Sequence, residues 1–417
     1  METAIYYLII GIVILDFLFE GVLDYLNMKH FSPIIPNDLE GIYEPQKYKK
    51  SQDYLLANSK VSMISSTIMF LALIVVLLVN GFAWLDTISR TLSPNLYLRT
   101  IIFFGILGLA STILSLPFEI YSTFVVEEKF EFNKTTTKTF VIDKIKSLLL
   151  GLILGGGVLL FIQWAYIKGG HAFWIITILG IGLIMIFMAM FYTSLIVPLF
   201  NKLQPLEDGP LKTAIQTFAD KTGFTIRDIY VMNGSKRSTK ANAYFSGLGP
   251  KKKIILYDTL IDILESDEIV SVLAHEIGHY KKKHIYKGLG LSFLQLGIML
   301  FLLWWTLGNP VFSLALGAKQ GSFYLGLLAF GILYTPISFL LGIVMNIFSR
   351  KHEYQADNFA AQYKMGGNLI ESLIKLSESS LSNLTPHPAY VFFNYSHPTL
   401  IQRRKAIKER LNQYEEE

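Results

Sequence analysis

Apolar residues gather along this chain in seven long blocks, at 3–26, 61–85, 100–124, 145–167, 173–200, 286–307 and 321–349. Each reaches the length of about 20 residues that a helix needs to cross a bilayer. Two long stretches, 201–285 and 350–417, have a mixed polar and apolar pattern instead. In the first of them, Pro205, Gly209 and Pro210 mark a linker. Leu211, Ile215 and Phe218 then recur at helical spacing until Gly223. The runs at 228–232, 242–247 and 253–258 are short and strand-like. A second helical pattern starts near Ser266, a predicted N-cap, with Asp267 and Glu268 in its first turn. The pattern predicts a mainly α, polytopic membrane protein in four parts. Spans one to five occupy 1–200, a small α+β subdomain 201–285, spans six and seven 286–349, and a closing polar segment 350–417.

Composition agrees. The 417 residues are 52% hydrophobic and only 17% charged, which excludes an ordinary soluble globule. The net charge of +5 does not indicate a nucleic-acid surface, because the basic residues fall in particular loops. Lys29, Lys47, Lys49, Lys50 and Lys60 follow the first block, and Lys129, Lys134, Lys138, Lys144 and Lys146 the third. The other side has Arg90, Arg99, Lys168 and Lys319. Positive charge stays inside, so the N-terminus is predicted outside or luminal, with both polar stretches and the C-terminus cytoplasmic. The membrane is a bacterial inner membrane or the endoplasmic reticulum, depending on source. The first block lacks a basic start and a small-residue cleavage site, and reads as a retained span. Asp16, Glu20 and Glu119 are carboxylates within blocks, suited equally to a wet cavity or to structural ion pairs.

The chemistry concentrates at His275-Glu276-Ile277-Gly278-His279. Histidines four apart share one helix face and can hold one metal, leaving Glu276 beside it to take a proton from water. The chain has no cysteine, so a third ligand must be His, Asp or Glu. Block six leaves the membrane surface just after the motif, and block seven returns to that surface near residue 350. There Glu353 is the predicted third ligand, and Asp357, one turn on, a hydrogen-bond acceptor for a ligating imidazole. Of the eight histidines, His284 in a lysine cluster and His352 read as surface residues. His397 precedes Pro398 and a charged amphipathic helix, which suits either a helix start or a donor to an oxyanion, with Arg403 near it.

These residues, together with EEKFEFNKTT (127–136), GSKRS (234–238), NAYFSG (242–247), LYDTL (256–260), EYQAD (353–357) and SHP (396–398), resemble the membrane-embedded zinc metallopeptidases of the CAAX prenyl protease 1 type over nearly the whole chain. The resemblance implies seven transmembrane helices in a tapered barrel around a chamber, with a zincin-like cytoplasmic subdomain. It implies one zinc ion per chain on His275, His279 and Glu353, with Glu276 as catalytic base. It makes His397 and Arg403 contacts to substrate or transition state, and Asn242 a peptide-backbone contact on an edge strand. The expected partners are the bilayer and a peptide or protein substrate prenylated at its C-terminus, and no nucleic acid. A general quality-control protease of membrane proteins is the alternative. A site-2 type protease ranks lower because the motif precedes a span. A transporter or scaffold with structural zinc would need a closed four-ligand site.

Overall fold

Backbone polar groups must pair with one another inside hydrocarbon, so apolar blocks of this length fold as helices. The computed structural model describes residues 1–37, 40, 43–226, 228–246 and 253–416. Six segments in it are long and apolar enough to cross a membrane: Glu2–Lys29, Pro45–Leu78, Leu96–Glu127, Thr137–Phe200, His284–Leu307 and Phe323–Gln362. The fourth holds two long helices, Thr137–Gly169 and Phe173–Leu195, parted at Gly170, whose φ of +48° suits glycine. Large apolar side chains on these helices, Leu15, Ile153, Leu183 and Leu340 among them, stand more than half exposed. That surface suits lipid rather than water.

The helix ends refine several sequence expectations. The second block shifts: its helix begins at Pro45 and stops at Leu78. Asn80 takes a left-handed conformation (φ 55°) and starts a separate amphipathic helix, Gly81–Leu92, so residues 79–85 leave the span. The seventh helix, Phe323–Gln362, runs without a break through residue 350 and carries Glu353 and Asp357. Glu119 pairs with Lys144 and accepts a 2.9 Å hydrogen bond from Ser115, the structural ion pair of the two readings.

The polar stretch 201–285 folds around a four-stranded sheet of order β1-β2-β4-β3. Its strands are β1 (Leu203–Pro205), β2 (Asp228–Met232), β3 (Ala243–Ser246) and β4 (Lys253–Tyr257). β2 and β4 are parallel; β1 and β3 run antiparallel at the edges. The sequence pattern misses β1, because Pro205 reads as a linker, yet proline is tolerated on an edge strand. Gly247, the last residue of the predicted second strand, lies outside the described residues. The amphipathic helix Pro210–Lys221 ends as predicted, with Gly223 at φ +58°.

The motif helix, Ser266–Lys281, starts one residue earlier than predicted. Glu265 is its N-cap, and the Glu265 N–H donates to the Glu268 carboxylate at 2.8 Å in a capping box. Its buried stripe of Ile269, Val270, Leu273, Ala274 and Ile277 joins the core with Ile254 and Leu256 of the sheet, Ile215 and Phe218, Phe359 and Ala360 of the seventh helix, and Leu369 and Ile407 further on. Residues from 201–285 and from the C-terminal stretch therefore share one hydrophobic core. Arg237 ties this body to the helices: it donates to both oxygens of Asp143, at 2.7 and 3.0 Å, and to the Phe200 carbonyl at 2.8 Å.

Candidate metal centre

The motif helix and the seventh helix cross with unusually close backbones, and Gly278 allows it. A Cβ at Gly278 would stand 3.0 Å from the Ala356 Cα and the Phe359 Cβ. That approach sets His275 and His279 opposite Glu353. The His275 and His279 Nε2 atoms lie 3.1 Å apart, and the Glu353 carboxylate is 3.4 Å from the first and 3.2 Å from the second. Among the described residues this is the one group of three or more donors, all within 4.8 Å of one another, that could hold a metal ion. A tetrahedral zinc with Zn–N and Zn–O distances of about 2.0–2.2 Å holds its ligand atoms about 3.3 Å apart. The three donors fit that size.

Their orientation is fixed from behind. Asp357, 1% exposed, bonds His275 Nδ1 at 2.7 Å, which turns Nε2 toward Glu353. Arg403, on the helix Leu400–Glu416, donates to both Asp357 oxygens at 2.9 and 2.6 Å and reaches within 3.7 Å of Glu353. Burial and the Arg403 charge work against a proton on His275, yet the hydrogen bonds to Asp357 and Glu353 prevail and raise its pKa to about 9.

A cavity of about 400 Å³ opens beside the three donors, lined by Glu276, Tyr244, Phe245 and His397 as well as by His279 and Glu353. Glu276 is half-buried and borders this space. His397 is exposed, its Nε2 3.5 Å from Glu353, and Ser396 bonds its other ring nitrogen at 2.9 Å. Asn242 does not line the cavity. It stands exposed just before edge strand β3, its side chain accepting the Ala243 N–H at 2.8 Å. Tyr244 and Phe245 of that strand carry β3 along the cavity wall.

His284 departs from the sequence expectation. It is buried, its Nδ1 is 3.1 Å from His279 Nδ1, and its Nε2 is 2.8 Å from Gln355 Oε1. His352 stacks on it, ring centroids 4.0 Å apart and planes 11° apart, so neither histidine is the free surface residue expected. Position five after His279 hid it: on an unbroken helix that position points away from the motif face.

Comparison with known proteins decides the family. A profile described as CAAX prenyl protease N-terminal, five membrane helices, matches residues 24–202, and Peptidase family M48 matches 205–411. CAAX prenyl protease 1 of Saccharomyces cerevisiae is 34% identical over 96% of this chain and 94% of its own. The chain belongs to the CAAX prenyl protease 1 family. Its homolog in Arabidopsis thaliana is likewise 34% identical, over 98% of this chain and 97% of the plant protein. The crystal structure of S. mikatae Ste24p superposes with a TM-score of 0.91, at 35% identity, covering 97% of this chain and 98% of that one. Membership makes the chain a multi-pass membrane protein and a metalloendopeptidase. The family implies a metal, generally zinc.

Proposed function

We propose that this family member holds one zinc ion on His275, His279 and Glu353 and hydrolyses a peptide bond near the C-terminus of a prenylated protein. The observation that carries the reading is three buried or half-buried donors of the right separation, oriented by Asp357, beside a cavity bordered by Glu276. Among the described residues three donors lie close enough together to share one ion, which suits catalysis better than a closed four-ligand structural site. Zinc bound there supplies Lewis-acid chemistry, lowering the pKa of a water toward about 7 and polarising the scissile carbonyl. Glu276 takes the proton of the attacking water and delivers it to the leaving amine. The substrate extends along edge strand β3, next to Asn242, whose exposed position suits a peptide-backbone contact. His397, exposed on the cavity wall, donates to the oxyanion. Arg403 acts through Asp357 and Glu353, holding both carboxylates in place rather than reaching the substrate.

In the same reading seven helices form a barrel around a chamber, with the active residues and C-terminus cytoplasmic and the N-terminus outside or luminal. The parts 1–200, 201–285, 286–349 and 350–417 serve as membrane frame, zinc-helix subdomain, hairpin and closing segment. The relatives named CAAX prenyl protease 1 support the choice of a prenylated substrate.

The test pairs wild type with Glu276→Gln on prenylated and unprenylated CAAX peptides, with products identified by mass. Wild type is expected to release a tripeptide from the prenylated peptide, and Glu276→Gln to lose turnover by 10²-fold or more, on the order typical of a general base, while keeping its metal. Normal turnover by the variant overturns the base assignment. Equal cleavage of both peptides by wild type favours general membrane proteolysis.

A further inference from the structure

We infer that His284 is a positioning residue for the metal centre: with Gln355 it forms a neutral relay that fixes the tautomer and orientation of His279. The inference rests on the reading of His279 as a metal ligand and goes beyond it.

The chain must break for His284 to reach His279, and it does. The motif helix ends at Lys281, Lys283 adopts a left-handed conformation (φ 59°), and the next helix begins at His284 itself. The turn brings the two imidazoles together, centroids 5.0 Å apart, with Nδ1 facing Nδ1 at 3.1 Å.

Direction follows from the inventory of donors. Gln355 presents its carbonyl Oε1, which can only accept, so His284 Nε2 carries the proton of the 2.8 Å bond. A neutral imidazole has one N–H, so His284 Nδ1 is an acceptor and His279 Nδ1 must be the donor. With its proton committed there, His279 Nε2 presents a lone pair toward the point shared with His275 and Glu353. The stacked His352 ring and 5% exposure of His284 leave the relay little room to rotate.

The two histidines of the motif are thus held differently. His275 leans on an anion, the Asp357 carboxylate, and His279 on an uncharged imidazole backed by an amide. The parts of the relay come from the first residue of the sixth membrane helix and from the seventh. The orientation of His279 therefore depends on how that hairpin is docked.

The experiment uses the full chain in detergent and measures zinc affinity by competition with a chromophoric chelator, together with the visible spectrum after cobalt substitution. His284→Leu, which fills the space without accepting a proton, is expected to weaken zinc binding by about 10–100-fold and to shift the cobalt spectrum. In His284→Gln the side-chain oxygen can accept from His279 and the amide can donate to Gln355, and affinity is expected within a few-fold of wild type. Gln355→Ala should fall between them. Equal affinity of wild type and His284→Leu overturns the relay, and so does a His284→Gln variant that folds yet binds as weakly as His284→Leu. Where His284→Leu fails to fold, the comparison of His284→Gln with Gln355→Ala decides the question in the same terms. Glu353→Gln serves as control: undiminished zinc affinity in that variant overturns the underlying ligand assignment, an outcome distinct from failure of the relay.

Discussion

Replacing Gly278 by alanine places a methyl group where two helix backbones meet. The new Cβ would lie 3.0 Å from the Ala356 Cα, 3.0 Å from the Phe359 Cβ and 3.1 Å from the Ala356 carbonyl oxygen. Carbon atoms in comfortable contact sit at about 3.5–4.0 Å, so the helices must part by roughly 0.5–1 Å. Two stability effects then oppose each other. Overpacking costs about 1–3 kcal/mol, and alanine is the better helix former by about 1 kcal/mol. The net loss is about 0–2 kcal/mol, too small for a melting curve to decide. The metal centre is the sharper reporter, because its donors are divided between these two helices. Ligand distances tolerate about 0.2 Å, several times less than the forced displacement, so zinc affinity is expected to fall about tenfold or more. Chelator competition in detergent measures this. A Gly278→Ala variant that binds zinc like wild type would show that the close crossing does not set the ligand geometry.

Three further changes probe other parts of the same design. Asp357→Asn removes the anion shared by His275 and Arg403; it is expected to lower zinc affinity about 10–100-fold and to cost about 1–3 kcal/mol in thermal unfolding by leaving the half-buried guanidinium without its main partner. Glu268→Ala deletes half of the capping box and the partner of Lys375, 2.7 Å away. Its expected cost is about 1–2 kcal/mol, with the chemistry at His275 untouched, and a normal kcat per folded molecule checks that. Arg237→Lys gives up the bidentate hold on Asp143 and the bond to the Phe200 carbonyl. A loss of about 1–3 kcal/mol and faster proteolysis near residues 201–212 are expected, and unchanged cleavage rates would show that the tether is dispensable.

Much of the architecture was legible because hydrocarbon leaves the backbone few options. Every apolar block lies mostly within a long helix, although Asn80 cuts the second, the fifth helix stops at Leu195 and the seventh starts only at Phe323. Strands β2 to β4 could be read from short apolar runs, whereas β1 is recognisable only through its pairing with β2, a contact no local pattern encodes. The meeting of Glu353 with the two histidines was legible from topology, since two helices joined as a hairpin return to one level. His284 was not, because a left-handed residue at Lys283 rewrites which positions share a face. Nor was the half-buried place of Arg403, whose bonds to Asp357 join segments 46 residues apart. The resemblance implies a contact to substrate or transition state for it, and its bonds to both Asp357 oxygens add a supporting place that the sequence did not show.

The unbroken helix Phe323–Gln362 has 40 residues. At 1.5 Å per residue it is a strut about 60 Å long, roughly twice the thickness of the hydrocarbon layer. With its first turn at the far face of that layer, Glu353 rides about 15 Å above the near face. On the proposed reading the scissor is mounted near that height, and a chain anchored in lipid by its tail would offer it only those bonds within a few extended residues of the anchor.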